Sequence, residues 1–596
     1  MQRSNRRSPD SSPWMPQPPP HPQQAPDPCR PMMRLAIIPL GLLALLAVAM
    51  GWLGRRIDEP PADFRFINSG DIRTLDPQSM SWNQDIRIGY AIYEGLYTLH
   101  PQTLKAIPGT AERIDISNDK TIYTFHIRRN AGWTDGRPVL ARDFVFAWRR
   151  MLEHPGDYTY LLDYIKGAEA YRAAYARFLE RPAELPRPDF ASVGIEVLDE
   201  RTLRVSLNHP VTFFPDLLAF PPYFPLHQEA MKPFEQVDPV TGHRTYDMRF
   251  MRPPHLQTNG PYRLAAWDFK RRVRLVANEH YWDRANVRSP IIDMIVVEDN
   301  KLGEFLRYEA GVVDWVADLA ADIAAELLAQ GRRDPSRRRQ DLHIHPAFGT
   351  YFYTFNCLPR FKDGRPNPFS DPRVRRAFAM AIDRRPIIQN VTRLDEQPAY
   401  HYVPLRSFPD YPPPRGIPQD LEEARRLLAE AGYPGGKGFP RLKLTFNTGF
   451  NHGDVAQIIR RQWRDGLGVE LELEGVESGE FSQRLHNVEY AVARASWYGD
   501  YDDVSTFTDK YLSTSDNNDS KWANTDYDRL CARAAREPDP AARLALLSQA
   551  EQILLEECPI LPIYYYVNRS LQKPYVTGIA HSPRNLVMLK AVFAQR

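Results

Sequence analysis

The chain of 596 residues sets 76 Lys and Arg against 74 Asp and Glu, a formal net charge of +2, with 43% hydrophobic and 25% charged residues. That much apolar material excludes a disordered chain and supplies a core large enough for more than one lobe. The near balance of charge gives nucleic acid no electrostatic hold.

Residues 1–33 are rich in Pro, Ser and Gln, include Arg3, Arg6, Arg7 and Arg30, and have no apolar periodicity, so no fold is expected there. From Leu35 to Leu53 the chain is apolar and uncharged, close to the roughly 20 residues a helix needs to cross a bilayer. Arg34 and the arginines before it outnumber Arg55 and Arg56 behind it, which places the N-terminus in the cytoplasm and everything after Arg56 outside. Ala47 and Ala49 form the small-x-small pattern of a signal-peptidase site. Residues 34–54 are therefore either a cleaved signal peptide or a membrane anchor. No later stretch is long and apolar enough to span a bilayer, so the protein is not itself a pore.

Strand and helix patterns alternate through the exported part. Tyr123, Phe125 and Ile127 share one face of a strand, as do Leu203, Val205 and Leu207, and Leu442, Leu444 and Phe446. Asp371 followed by Pro372 starts one helix; Asp420, with Glu423 three residues on and Gly432 at the far end, brackets another. This mixture predicts an α/β or α+β architecture rather than a bundle or barrel.

The four cysteines, Cys29, Cys357, Cys531 and Cys558, include no CxxC pair and do not suggest a thiolate metal site. With Cys29 inside or removed, the other three allow at most one bridge. His343 and His345 share a strand face, but two imidazoles do not make a zinc site. GxSxG, HExxH and a phosphate-binding glycine loop are all missing. No enzyme, metal or cofactor is expected.

Several strings in order, Ile72-Arg-Thr-Leu-Asp-Pro77, Tyr93-Glu-Gly-Leu96, Trp133-Thr-Asp-Gly-Arg-Pro138, Thr258-Asn-Gly-Pro-Tyr262, Asp371-Pro-Arg-Val-Arg-Arg376, Ala493-Arg-Ala-Ser-Trp497 and Pro562-Ile-Tyr-Tyr-Tyr-Val-Asn568, span nearly everything after residue 64. In sequence and spacing they resemble the bacterial oligopeptide-binding proteins of solute-binding protein family 5. The resemblance implies an α/β, two-lobed periplasmic-binding-protein fold of class II and the three-domain type. Domain I would comprise residues 64–93, 200–348 and 568–596, domain II 94–199 and domain III 349–567. Lobes of this kind close about a hinge and deliver short peptides to an ABC transporter permease with its ATPase. A monomer exported to the periplasm or the outer face of the cytoplasmic membrane is implied.

A binder of many sequences must grip the peptide backbone and its two charged ends. The family pattern places the ammonium-binding carboxylate at Asp500, although Asp beside Gly commonly caps a turn. It places a basic group for the ligand carboxylate at Arg494, a role suited to a guanidinium, and a further contact for that end at His452, which could otherwise be a surface-loop histidine. Trp497, Tyr498 and Tyr501 would pack beside the ligand backbone, and Trp82 and Asn83 would approach it from the N-terminal part of the chain, with the core as the competing place for any aromatic. Two departures stand out. Gly349 and Tyr498 occupy positions that the best-known members bridge by a disulfide, and Leu485 replaces a second basic residue of the cleft, flanked by Arg484 and His486. The same fold could instead bind a cell-wall peptide, a nickel chelate, haem or an oligosaccharide, or serve as an anchored sensor.

Overall fold

Residues 59–596, apart from Ser69 and Asp299, are described by a computed structural model. The N-terminal apolar segment and Cys29 lie outside the described residues. Among those described, no helix is long and apolar enough to cross a membrane.

The predicted elements form where the patterning put them. Ile122–Ile127 is a strand that buries Tyr123, Phe125 and Ile127. It pairs antiparallel with the strand Thr202–Ser206, setting Phe125 opposite Leu203 and Tyr123 opposite Val205. Both capped helices appear, Pro372–Met380 with the Asp371 carboxylate accepting from the Arg373 N–H, and Leu421–Glu430 with Asp420 accepting from the Glu423 N–H. Each cap satisfies a donor that the first turn leaves open.

One sheet organises the unit Ala62–Arg596. Its strands in chain order are β1 (Phe64–Ile67), β2 (Tyr262–Asp268), β3 (Arg272–Ala277), β4 (Ile291–Ile295), β5 (Trp315–Val316), β6 (Leu342–Phe355), β7 (Lys443–Asn447), β8 (Glu472–Val476), β9 (Val492–Tyr498) and β10 (Ile560–Gln572). Three helices matter below: α1 (Asn83–Ile92), α2 (Ala321–Arg333) and α3 (His452–Leu467). The strand order across the sheet is β2-β3-β4-β1-β5-β10-β6-β9-β7-β8.

The apolar residues gather in separate cores. A first body holds Phe64, Phe125, Trp148 and Ile292, with an adjoining cluster of Ile67, Val316 and Leu571. A second body holds Tyr351, Phe378, Leu444 and Trp463 under one face of its sheet and Phe352, Phe507 and Leu554 under the other. The long strands β6 and β10 connect the two bodies. Their pairing runs from Leu342 opposite Leu571 in the first to Thr354 opposite Ile560 in the second, with register shifts at Pro346/Thr350 and Tyr351/Phe352. A strand of 14 residues reaches about 45 Å, enough to cross from one core into the other, and the irregularities fall at the crossing.

The bridge that three exported cysteines would allow does not form: Cys357, Cys531 and Cys558 are all free thiols. Burial raises each of their pKa values, so they are inert apolar fillers rather than reactive groups.

Candidate functional site

β9 is paired on its two sides to different extents. On one side β6 accompanies it throughout, from Gly349 opposite Tyr498 to Phe355 opposite Val492. On the other, β7 pairs only with Val492 and Ala493. From Arg494 to Tyr498 no described strand covers that edge, which leaves about 13 Å of backbone able to accept an added strand. Alternation sends Arg494, Ser496 and Tyr498 to one face of the sheet and Ala495 and Trp497 to the other.

Arg494 marks the start of this edge. Its Nη2 donates to the Tyr566 hydroxyl at 2.8 Å, and its guanidinium carbon lies 5.0 Å from the centre of the Tyr351 ring. Its Nε is buried with no hydrogen-bond partner, a donor that a ligand oxygen would satisfy. His452 opens α3 and is 8% exposed, so it is not a surface-loop residue. Its Nδ1 is 3.3 Å from the Tyr351 hydroxyl. Burial first, and then the charge of Arg494, hold its pKa down to about 3. The imidazole is therefore neutral, and the fixed charge at this end is the guanidinium.

Asp500 stands just beyond the other end of the edge. Its backbone N–H donates to the Thr506 Oγ1 at 2.9 Å, which fixes the turn. Its carboxylate does not cap that turn: Oδ2 accepts from the hydroxyl of Tyr160 at 3.0 Å, with Tyr158 beside it. Both tyrosines belong to the first body, around the short helix Thr159–Tyr164. Part of the Asp500 residue surface remains open, yet the carboxyl is desolvated enough for burial to push its pKa up to about 6. Tyr160, Arg584 and Lys510 oppose that rise. A cation arriving in place of water would be held strongly by such a group.

The remaining predicted residues take varied places. Tyr498 is 46% exposed and stacks on Tyr566 with ring centres 4.9 Å apart. Its pairing opposite Gly349 has a steric basis, since a Cβ at Gly349 would lie 2.8 Å from the Tyr498 ring. Trp497 faces the other side, where its Nε1 donates to the Thr506 carbonyl at 2.8 Å and Lys510 lies over its ring; it supports the Asp500 turn from below. Tyr501 is buried and stacks at 4.7 Å on Phe213 of the first body, a contact between bodies. Trp82, exposed beneath the guanidinium of Arg73, precedes α1, whose first residue Asn83 is also exposed. They are not in the group formed by Asp500 and Arg494. Near Leu485, Arg484 is engaged by Glu474 and Glu480 and does not replace the missing cleft cation.

Sequence reasoning passed over Tyr158, Tyr160, Tyr351, Tyr566 and Arg584. The closely spaced Tyr158, Tyr160 and Tyr164 and the run Tyr564-Tyr565-Tyr566 were the available signals. His343 and His345 do share a face, and His581 stacks on His343 at 4.2 Å; among the described residues, however, no group of His, Cys, Asp and Glu could hold a metal ion. A cavity of about 520 Å³ lies elsewhere, at the crossing of β6 and β10, and shares only Tyr566 with the group at Arg494.

Two bodies joined by crossing strands, with an open strand edge between a half-buried acid and a half-buried guanidinium, are the build of a solute-binding protein. Residues 105–519 match the pattern of bacterial extracellular solute-binding proteins, family 5 middle region. The oligopeptide-binding protein OppA of Bacillus subtilis is 30% identical over 79% of this chain and 82% of its own length. The Escherichia coli periplasmic murein peptide-binding protein MppA is 31% identical over 85% and 88%; a solved structure of that murein tripeptide-binding protein superposes with a TM-score of 0.74, at 28% identity, over 90% of this chain and 99% of its own. The Haemophilus influenzae OppA complex with RPPGFSPFR gives a TM-score of 0.71 at 26% identity, again over 90% of this chain and 100% of that one. The chain belongs to the family 5 extracellular solute-binding proteins, and it is a binding protein rather than an enzyme.

Proposed function

We propose that this protein is the extracytoplasmic substrate-binding component of an ABC-type oligopeptide importer, closing two lobes around a short peptide and passing it to a permease driven by an ATPase. The observation that carries this reading is the uncovered β9 edge from Arg494 to Tyr498, with Asp500 beyond one end and Arg494 and His452 at the other. An extended peptide adds to such an edge as a strand through its backbone, which is common to all sequences. Its ammonium meets Asp500, and its carboxylate takes the unpartnered Nε of Arg494. A sugar would use neither charge. Relatives named for oligopeptides, dipeptides and murein peptides favour the same class of ligand.

Domain I and domain II make the first lobe and domain III the second, with the hinge at β6 and β10. The segment 34–54 exports the chain and is either removed or retained as an anchor, which leaves a monomeric binding unit on the outer side of the cytoplasmic membrane. Protease added to spheroplasts should digest it without lysis; protection until lysis reverses the orientation. Calorimetric titration of the purified protein with trialanine and with tri- to pentapeptides of varied sequence tests the ligand class. Saturable binding of several unrelated peptides, with the peptides recovered uncleaved, is the expected result. Affinity for sugar, haem or a nickel chelate with none for peptides refutes it.

A further inference from the structure

The cavity at the crossing of β6 and β10 has the makings of a second ligand site. Its volume of about 520 Å³ is within the range of small-molecule pockets, roughly 300–1,000 Å³. Both bodies contribute to it: α2 and the segment leading into β6 from the first, and the stretches around Leu394 and Arg406 from the second. Register puts Leu342 opposite Leu571 and Pro346 opposite Val567, so alternation turns Leu342, Ile344 and Val567 to one face of the crossing strands, away from His343, His345 and Asn568. That apolar face is incompletely covered. Leu327, Leu328, Leu342, Ile344 and Val567 all line the cavity and are only half-buried.

The charged part of the lining is mostly basic. Four arginines, Arg332, Arg338, Arg339 and Arg406, face one acid, Asp395. Arg332 is taken by Asp395, and Arg339 by Glu309 and Asp341. Arg338 and Arg406 have no acidic partner among the described residues, and both are exposed. Next to Arg406, the Ser407 Oγ is buried with no hydrogen-bond partner. The unpaired guanidinium groups and the unsatisfied hydroxyl are donors of the kind a carboxylate takes, while the half-buried leucine, isoleucine and valine side chains offer an apolar body a place out of water.

We propose that this cavity binds an amphipathic carboxylate, a single anionic group on an aliphatic body, and that its occupancy tightens peptide binding at the β9 edge. The first half of the proposal stands on the cavity alone; the second rests also on the peptide-binding reading above. The coupling follows from geometry. The cavity has walls from both bodies in the same conformation in which Tyr160 of the first touches Asp500 of the second. A ligand that fits this arrangement favours it over any in which the bodies have swung apart, and the effect must be reciprocal.

The test is calorimetry on the full chain in lipid nanodiscs, with octanoate as probe, acetate as the small-anion control and empty nanodiscs as the blank. Octanoate should bind saturably to one site, at least tenfold more tightly than acetate. The double variant Arg338→Gln, Arg406→Gln, both exposed positions without ion pairs, should lose at least tenfold in octanoate affinity with its melting temperature unchanged. Trialanine affinity should rise severalfold at saturating octanoate. No saturable binding above the blank, equal binding of acetate, or an unchanged double variant overturns the site. Displacement of octanoate by trialanine also overturns it, by making the cavity part of the peptide cleft; an unaltered trialanine affinity overturns the coupling. Arginine-dependent octanoate binding in a protein with no affinity for trialanine would sink the peptide reading and leave the second site standing.

Discussion

At one end of the β9 edge, Asp500 draws its hydrogen-bond partner from the opposite body, since Tyr160 is 340 residues away in the chain and its neighbour Tyr158 comes with it. At the other end Arg494 finds Tyr351, Tyr566 and His452 within its own body. On the proposed reading, the end that would take the ligand carboxylate is formed within one body, whereas the end that would take its ammonium draws on both. A site divided in this way can hold one end of a ligand in the open form and report its other end only on closure, which is what a transporter that responds to the closed form requires.

Variants can break this contrast, and the expected effects descend in size. Arg494→Gln removes the one fixed charge of the prebuilt end. Stripping one partner from a buried ion pair costs about 3–5 kcal/mol, so tripeptide affinity should fall by roughly a hundredfold to several thousandfold, and a peptide amidated at its C-terminus should lose little further. Calorimetry with both peptides checks it. If amidation costs the variant as much as the parent, Arg494 does not meet the carboxylate.

Tyr160→Phe deletes the 3.0 Å hydrogen bond that reaches Asp500 from across the gap while leaving the second body untouched. Hydrogen bonds to charged groups are worth about 1.5–3 kcal/mol, which corresponds to a loss of roughly ten- to a hundredfold in affinity. Small-angle scattering at saturating peptide should show a larger open fraction than for the parent. Unchanged affinity and scattering would mean that closure does not pass through this contact.

The pH dependence separates the ends further. With the two bodies in contact, burial pushes the Asp500 pKa up to about 6, and a bound ammonium would lower that value. Peptide affinity should therefore be flat above about pH 7 and weaken, by up to about tenfold per unit, as pH falls below 6. His452, held near 3, adds nothing in that window. A profile that is as steep in Asp500→Asn as in the parent would assign the titration to another group. The smallest change is expected of His452→Gln, which alters one neutral contact worth about 0.5–1.5 kcal/mol; titration should show a loss of no more than roughly tenfold.

Much of the fold could be read from the chain because the signals were local. Period-two burial marked Ile122–Ile127, and Asp371 and Asp420 sit where their helices need a side-chain acceptor. The divided surroundings of Asp500 were not readable. Beside Gly499 it looked like a turn-capping residue, and its actual partners, Tyr158 and Tyr160, belong to a body closed by other contacts. Aromatic residues were the least legible, because identical chemistry serves both core and cleft. Trp497 and Tyr498 are adjacent, yet strand alternation turns one under the Asp500 turn and the other onto Tyr566. Free cysteines likewise follow from burial, a tertiary property that spacing does not carry.

The central claim, that Asp500 receives the ammonium of a peptide lying along β9, is tested most directly by a double-mutant cycle between Asp500→Asn and acetylation of the ligand's amino group, with trialanine titrated into both proteins in both forms. Each single change should cost roughly a hundredfold or more, and the two together little more than either alone, because both remove the same ion pair. Simple additivity of the two losses, or equal binding of acetylated and free peptide by the parent protein, would contradict the claim.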